Sequence, residues 1–245
     1  MRTRAFATGA LLCYNSNMEK ATDRLEILIG ADGLEKLAAA KVTIVGLGGV
    51  GGQAAEAVAR SFVGKIVLID GDKVAPSNLN RQIFATEKTV GREKAVVAAE
   101  RIKEIRPLAD VTPVVSFVTE ENLASFDIWD SDCILDAIDD VPAKVALIKE
   151  AMRRGVPVLS SMGAANRLDP TAFKVADISE AHTCPLAKKL RKLLATQGIT
   201  KGLSVVFSTE KPLAFGGALG SNAFVPAAAG LTLASAAIRL LLAKA

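Results

Sequence analysis

The sequence KVTIVGLGGVGG, residues 41–52, decides the fold of this chain. Its apolar first half predicts a buried β-strand over residues 42–45, and the glycines that follow predict a tight turn. Residues 50–62 predict a helix after the turn. A strand, a glycine turn and a helix in this order indicate a phosphate-binding site, because the glycines let backbone N–H groups at the helix N-terminus approach phosphate oxygens. The turn contains Gly46, Gly48, Gly49 and Gly51.

A second predicted strand, KIVLID at residues 65–70, ends on an acidic residue. Asp70 lies about 20 residues after Gly51, where an acid in such folds accepts hydrogen bonds from ribose hydroxyls. A tight turn without any ligand is disfavoured, because the strand, the glycines, the helix and the acid all agree. Up to this point NAD and ATP fit the pattern equally well.

The loop after Asp70 favours ATP. It reads GDKVAPSNLNRQIF over residues 71–84 and, with the next predicted helix, supplies polar groups that a dinucleotide does not need: Asp72, Asn78, Arg81, Gln82 and Lys94. Arginine and lysine bind phosphates, and Mg²⁺ prefers carboxylate oxygens. A further carboxylate arrives in LDAIDDV, residues 135–141, at the carboxyl end of a predicted central strand. Each charge alone is more often a solvated surface residue, but together they predict a site for ATP and Mg²⁺.

The alternation of strands and helices up to Asn166 predicts an α/β fold, a Rossmann-like doubly wound and mostly parallel sheet with helices on both faces. After Asn166 the rhythm changes to a strand, a basic amphipathic helix and another strand, which we interpret as a C-terminal excursion of the same domain. No linker interrupts the chain, so residues 18–245 are expected to form one ATP-binding domain. Residues 1–17 are expected to be a disordered extension rather than a targeting signal.

Composition excludes several classes of mechanism. The three cysteines form no CxxC pair, which argues against a disulfide framework or a four-cysteine zinc site and favours the cytoplasm. His182 is the single histidine, so chemistry built on several histidines is excluded. The net charge of +4 is compatible with a polyanionic partner without requiring one. Residues 224–242 approach transmembrane length, but their small residues favour a core helix, and no stable membrane insertion is expected.

These motifs together resemble a known superfamily. GLGGVG, IDGDKVAPSNLNRQ, VGREK and DAIDD, in this order, are similar to the ATP-dependent adenylating enzymes related to ubiquitin-activating enzymes, the ThiF/MoeB type. The resemblance covers about residues 23–245. It implies that Asp70 holds the ribose and that Asp139 binds Mg²⁺. It also implies a set of residues around the phosphates: Gly46, Gly48, Gly49, Gly51, Asn78, Arg81, Gln82 and Lys94.

The resemblance further implies a homodimer. Arg24, in DRLEILIG, stands where the superfamily has an arginine that reaches into the partner subunit's ATP site. The aromatic residue and second arginine usual before it are missing here, since the chain reads KATDR. Leu25, Leu28 and Ile29 form an apolar stripe that a dimer interface would bury. Arg24, Arg81, Lys94 and Asp139 are therefore the expected catalytic set.

The second half of the chain is similar to the tRNA threonylcarbamoyladenosine dehydratases. This resemblance implies that ATP activates the threonine carboxylate of the modified nucleoside beside the anticodon, after which the carbamoyl nitrogen closes a ring with net loss of water. Where that family has an acid before PLA, this chain has Cys184. With His182 it forms either a nucleophile pair or, as we favour, a turn before Pro185.

The substrate class remains open at this point between tRNA and a ubiquitin-like sulfur-carrier protein, which related adenylating enzymes activate. The absence of CxxC pairs favours tRNA. A basic cluster on the predicted helix at residues 185–198 is a candidate contact for tRNA phosphates: Lys188, Lys189, Arg191 and Lys192. A sulfur-transfer protein is a further candidate partner. An NAD-dependent oxidoreductase and a scaffold without activity are disfavoured, because the charged set is intact.

Overall fold

A computed structural model of the protein describes residues 20–214 and 216–244. The predicted extension, residues 1–17, lies outside the described residues. Seven strands form one sheet in the order β3-β2-β1-β4-β5-β7-β6. Their bounds are β1 Lys41–Val45, β2 Lys65–Ile69, β3 Asp110–Val114, β4 Cys133–Asp136, β5 Val158–Ser161, β6 Phe173–Asp177 and β7 Ser204–Ser208.

Six α-helices flank this sheet in the described part of the chain. Their bounds are α1 Asp23–Ala39, α2 Gly51–Arg60, α3 Lys94–Ile105, α4 Val141–Arg154, α5 Pro185–Ala195 and α6 Phe224–Ala243. One apolar cluster joins α1, α2, α3 and α6 to one face of the sheet, and two further clusters join α4 and α5 to the other face. The predicted doubly wound α/β architecture is thereby confirmed.

The C-terminal excursion extends the same sheet. Strand β7 pairs with β5 in parallel register, with Ser160 opposite Val205. Strand β6 pairs with β7 in antiparallel register and forms the edge. The change in the order of elements after Asn166 therefore marks an antiparallel edge strand added to a parallel sheet. Helix α5 covers the same face of the sheet as α4.

Helix α6 is the helix of the described chain that is long and apolar enough, by length and composition, to cross a membrane. It contacts α2 and strands β4, β5, β6 and β7. A Cβ atom on Gly230 would overlap the carbonyl oxygen of Val50, so only glycine lets α6 approach the start of α2 this closely. The packing is that of a core helix, as its small residues predict.

Helix α1 contains a break at Gly30, whose φ is +73°. The stripe predicted from Leu25, Leu28 and Ile29 is wrong in part. Ile29 packs against the core, while Ile27 and Leu28 are 86% and 80% exposed. Consecutive residues of an α-helix are about 100° apart, so Leu28 and Ile29 face different directions and do not form one exposed stripe.

Candidate active site

A cleft of about 1730 Å³ opens at the carboxyl ends of the central strands. It lies where β1 and β4 are neighbours, although the chain leaves β1 into α2 on one face and β4 into α4 on the other. This is the topological switch point at which open α/β sheets bind ligands. The glycine turn, the loop after β2 and the end of β4 all line this cleft.

The glycines of the turn serve two different purposes. Gly46 has φ +87°, and a Cβ there would lie 2.7 Å from the carbonyl oxygen of Ala137, while a Cβ on Gly51 would overlap the carbonyl oxygen of Gly46. These two glycines are required by the fold itself. A Cβ on Gly48 would meet only the Gln82 side chain at 3.8 Å, so the backbone of Gly48 is open to a ligand. Gly49 faces α6, where a Cβ would lie 3.0 Å from Pro226.

Asp70 lines the cleft at the end of β2 and ties the glycine turn to the following loop. One carboxylate oxygen accepts a hydrogen bond from the backbone N–H of Leu47 at 2.6 Å, and the other accepts one from Asp72 at 2.8 Å. Burial raises the pKa of Asp70 above its ordinary value, although these two N–H donors and the charge of Lys94 act in the opposite direction. The carboxylate is therefore held in place before any ribose is bound.

Two cations reach the cleft from different elements. The side chain of Lys94, at the start of α3, is 8% exposed, and its ammonium lies 2.7 Å from a carboxylate oxygen of Asp72. The guanidinium of Arg81 donates to the carbonyl oxygen of Ser77 at 2.8 Å and to the side chain of Asn80 at 3.0 Å. No ion pair joins Arg81 to an acid within the part of the chain that the structure describes. Its charge is thus available to a phosphate.

Asn78 and Gln82 are both buried beside this loop. The side-chain oxygen of Asn78 accepts a hydrogen bond from the backbone N–H of Ala75 at 3.0 Å, and its carbonyl oxygen accepts one from Gln82 N–H at 2.9 Å. Asn78 therefore shapes the loop that presents Arg81. This local structural role is additional to any contact with a ligand, and the sequence alone did not separate the two.

The three acids of DAIDD have three different environments. Asp140 begins α4, where its side chain accepts a hydrogen bond from Ala143 N–H at 2.9 Å. Asp136 is fully buried and pairs with Lys144 at 2.9 Å. Asp139 is exposed and lines the cleft, and no hydrogen bond or ion pair to another described residue engages its carboxylate. Asp139 is thus the acid of this motif that is free to bind a metal.

Arg24 does not join the other predicted residues in the cleft of its own chain. It lies exposed in the first turn of α1, a helix that packs against α6 rather than at the carboxyl ends of the strands. Arg81, Lys94, Asp70, Asp139 and the glycine turn converge on one cleft without it. If Arg24 acts on a nucleotide, it has to do so from another subunit.

A second wall of the cleft follows β5 and includes residues that sequence reasoning missed. Arg167 is 4% exposed, and its guanidinium donates to three carbonyl oxygens, those of Gly163, Ala165 and Glu210. Its Nη2 atom has no hydrogen-bond partner among residues 20–214 and 216–244. Through these hydrogen bonds Arg167 links the backbone segments on either side of this wall. An isolated arginine in a loop gives no sequence signal for such a role.

His182 and Cys184 form a turn at the start of α5. The backbone N–H of Cys184 donates to the carbonyl oxygen of His182 at 2.7 Å, and Thr183 between them has φ +63°, which together make a γ-turn. The imidazole Nδ1 lies 2.7 Å from the Thr183 hydroxyl, and its ring stacks edge-on against Phe207. In the described structure no hydrogen bond joins His182 to the Cys184 thiol, as expected for a turn rather than a nucleophile pair.

Comparisons with known proteins give concordant results. A ThiF family model matches residues 22–245. The chain is 42% identical over 228 residues to the tRNA threonylcarbamoyladenosine dehydratase of Bacillus subtilis, covering 86% of this chain and 90% of that protein. The crystal structure of the Escherichia coli tRNA N6-threonylcarbamoyladenosine dehydratase in complex with ATP has a TM-score of 0.86 and 40% identity, covering 89% of this chain and 92% of that one. The molybdopterin-synthase adenylyltransferase of E. coli is 36% identical over 155 residues, covering 62% of this chain and 61% of that protein.

Two glycine variants should separate the structural glycines from the ligand-facing one. Gly48→Ala adds a methyl group to open space, so we expect a stability within about 0.5 kcal/mol of wild type. The methyl group occupies the space where phosphates approach the backbone, so the Kd for ATP should rise at least about tenfold in calorimetric titration. Gly51→Ala forces its Cβ into the Gly46 carbonyl and should lower the free energy of unfolding by about 1–3 kcal/mol. A Gly48→Ala chain that binds ATP as wild type does would place the phosphates elsewhere.

Proposed function

The chain belongs to the ThiF family, and from this we propose that it is an ATP-dependent dehydratase that acts on threonylcarbamoyladenosine in tRNA, next to the anticodon. The observation that carries the proposal is that the nucleotide-binding and cationic residues meet in one cleft, in a chain that matches a dehydratase over nearly its whole length. The reaction adenylates the threonine carboxylate and then closes a ring. The protein is accordingly an adenylating enzyme.

The nucleotide half of the cleft fits ATP. The ribose lies on Asp70, whose carboxylate is already oriented by two backbone N–H groups. The phosphates follow the open backbone at Gly48, at the start of α2, where the helix N-terminus favours negative charge. Arg81 and Lys94 approach the same phosphates from the loop and from α3. This arrangement leaves the triphosphate facing Asp139.

The donor set also fits Mg²⁺ bound together with ATP. No group of three or more metal-binding side chains occurs in the described part of the chain, so the protein offers no cage for a bare ion. Mg²⁺ in nucleotide sites is commonly held by one or two carboxylates together with phosphate oxygens. Asp139 is a free carboxylate of this kind. When bound there, the ion would neutralise phosphate charge in the transition state.

The chemistry of the first step follows from this geometry. A carboxylate oxygen of the threonine group attacks the α-phosphorus of ATP, and the bond from that phosphorus to the pyrophosphate breaks. Negative charge accumulates on the α-phosphate and on the departing pyrophosphate, where Arg81 and Lys94 stabilise it. The product is an acyl-adenylate, whose leaving group is AMP. Without adenylation, attack on the carboxylate carbon would have to expel an oxide ion, which is a very poor leaving group.

The second step uses a nucleophile within the substrate. The carbamoyl nitrogen attacks the activated carbonyl carbon, loses its proton, and expels AMP together with one of the former carboxylate oxygens. The sum of both steps removes the elements of water from the nucleoside. Because nucleophile and electrophile belong to the same molecule, proximity supplies much of the rate, and no enzymic cysteine is needed.

The size of the cleft supports a second substrate beside ATP. Pockets for one drug-sized ligand occupy about 300–1,000 Å³, whereas this cleft is about 1730 Å³. The additional room lies against the wall formed by residues 161–167 and 184–186. We assign this wall to the modified nucleoside. Helix α5 begins at this wall and carries exposed residues further along its length.

The basic surface of α5 suits the phosphates of tRNA. Lys188, Lys189 and Lys192 are exposed. Arg191, which the sequence grouped with them, is turned inward and donates to the carbonyl oxygen of Ala181. The expected contact with tRNA is therefore reduced to the three lysines, because a helix of this amphipathic pattern directs one of every three or four residues towards the core.

The positions of the described cysteines favour tRNA over a carrier protein. Cys133 and Cys184, the cysteines that the structure describes, are both buried and lie on different elements, so they do not form a zinc site together. The sulfur-carrier activators share the adenylating half of the chemistry and remain the alternative. A sulfur-transfer protein could act as an additional partner under either assignment, and a tRNA substrate places the enzyme in the cytoplasm.

A homodimer would complete the site. Ile27 and Leu28 project into solvent from α1, and α1 contacts α6, whose Leu231 is half exposed. Burying such side chains between two copies contributes roughly 25 cal/mol per Å² of apolar area. Arg24 belongs to the same helix as Ile27 and Leu28. An interface formed by α1 would therefore carry Arg24 towards the other subunit, where the arginine would reach the triphosphate.

The assay for the proposed reaction uses bulk tRNA. We expect that incubation with ATP and Mg²⁺ converts threonylcarbamoyladenosine to a product lighter by one water, detected by mass spectrometry of the nucleosides. Asp139→Asn should abolish conversion and keep the fold, because this side chain is exposed. Arg81→Ala and Lys94→Ala should each lower kcat about 100- to 1,000-fold. ATP–pyrophosphate exchange that depends on a carrier protein and not on tRNA would establish the alternative function instead.

Complementation tests the dimer. Arg24→Ala and Asp139→Asn chains should each be inactive alone, since each lacks one component of every site. After verified subunit exchange, a mixed dimer contains one site with Arg24 from one chain and Asp139 from the other, and part of the activity should return. Sedimentation gives the oligomeric state in parallel. A stable mixed dimer without activity would show that Arg24 does not act across the interface.

A further inference from the structure

A fully buried ion pair lies directly beneath the carboxylate that we assign to Mg²⁺. The ammonium of Lys144, on α4, is 2.9 Å from a carboxylate oxygen of Asp136, at the end of β4, and both side chains are completely inaccessible. Such pairs seldom stabilise a fold relative to apolar residues of similar volume, because both charges lose their hydration. Stability alone therefore gives no reason for this pair at the switch point.

Asp136 and Lys144 both form hydrogen bonds with the backbone of Ile138. The other carboxylate oxygen of Asp136 accepts a hydrogen bond from Ile138 N–H at 3.1 Å, and the Lys144 ammonium donates to the carbonyl oxygen of Ile138 at 2.9 Å. The hydroxyl of Ser160, on β5, donates to Asp136 at 2.6 Å and fixes the carboxylate from the neighbouring strand. The peptide groups on both sides of Ile138 are thereby held by buried side chains.

Asp139 is the next residue, and its other neighbour is held as well. The carbonyl of Ile138 belongs to the peptide bond that leads into Asp139, so Lys144 orients that peptide plane. Asp140 is anchored by its cap of α4. The chain before Ile138 is fastened too, because Ala137 N–H donates to the Val45 carbonyl at 2.8 Å. Asp139 is thus an exposed carboxylate on a backbone that is fixed on both sides.

We propose that Asp136 and Lys144 are positioning residues that act through Ile138 to hold the Asp139 carboxylate where the metal–ATP complex requires it. The inference rests on the proposed role of Asp139 and does not depend on which carboxylate the enzyme activates. Groups that orient a metal ligand in this way commonly change metal affinity 10- to 100-fold when they are removed. The buried charges then have a function that an apolar pair cannot supply.

The test uses Asp136→Asn/Lys144→Met, which we call the clamp variant, because a single replacement would leave one charge buried without its partner. The asparagine oxygen can still accept from Ile138 N–H, but the methionine no longer holds the Ile138 carbonyl. We expect a folded protein with a Tm close to wild type and an unchanged Kd for ATP without divalent ions. The affinity for Mn²⁺ in the presence of ATP, measured by electron paramagnetic resonance, should fall at least about tenfold.

Two reference variants show how large and how small a change in Mn²⁺ affinity to expect. Asp139→Asn shows the loss expected when the metal-binding carboxylate is removed. Glu56→Gln/Arg101→Gln removes an ion pair of 3.3 Å between α2 and α3, outside the cleft, and should leave the Mn²⁺ affinity unchanged. If the clamp variant does not fold, Ser160→Ala replaces it. That substitution removes the hydrogen bond from the Ser160 hydroxyl to Asp136. It should also lower the Mn²⁺ affinity, but by a smaller factor.

A folded clamp variant with wild-type Mn²⁺ affinity overturns the inference, as does wild-type affinity in Ser160→Ala if only that variant folds. Wild-type affinity in Asp139→Asn would instead remove the proposed metal site, and the inference with it. If both the clamp variant and Asp139→Asn lose Mn²⁺ affinity while tRNA is not converted, the positioning role stands and the proposed substrate is wrong. The Mn²⁺ affinity therefore distinguishes a failure of the positioning role from a failure of the proposed tRNA substrate.

Discussion

The close contact between the glycine turn and the end of β4 is the constraint on which the site depends. The N–H of Ala137 donates to the carbonyl of Val45 at 2.8 Å, and the carbonyl of Ala137 lies where a side chain on residue 46 would be. Only glycine fits there, with φ +87°. This contact makes β1 and β4 neighbours up to their last residues. It brings the phosphate-binding turn and the Asp139 loop to opposite sides of one cleft.

Four of the five buried charged side chains among the described residues lie at the same edge of the sheet, and Glu56 is the exception. The Asp136–Lys144 pair, Lys94 and Arg167 are nearly inaccessible, and each contributes to the backbone or the rim of the cleft. The interior between sheet and helices is instead built from apolar side chains. Burying charge is costly, so its concentration around the cleft indicates that geometry, rather than stability, determines these residues.

Most of the fold, and the presence of Asp70, Arg81 and Lys94 at one cleft, could be predicted from sequence, because strands, helix starts and the glycine turn are signalled by local patterns. The individual roles within DAIDD could not, since burial of Asp136 and the cap made by Asp140 depend on where β4 ends. Lys144 reads as an exposed residue of an amphipathic helix until β4 is placed beside α4. Arg191 and Ile29 were wrongly assigned to exposed surfaces. Arg191 is directed to the Ala181 carbonyl oxygen, and Ile29 packs against the core although the adjacent Leu28 is exposed.

The central claim is that the cleft transfers adenylate to a carboxylate, and an isotope experiment tests it most directly. The tRNA would carry threonylcarbamoyladenosine labelled with ¹⁸O in both carboxylate oxygens. Attack by this carboxylate on the α-phosphorus leaves one labelled oxygen on that phosphorus after the ring closes. Mass spectrometry should therefore find one ¹⁸O in AMP and none in pyrophosphate. Label in pyrophosphate or in free water, with unlabelled AMP, would contradict an acyl-adenylate.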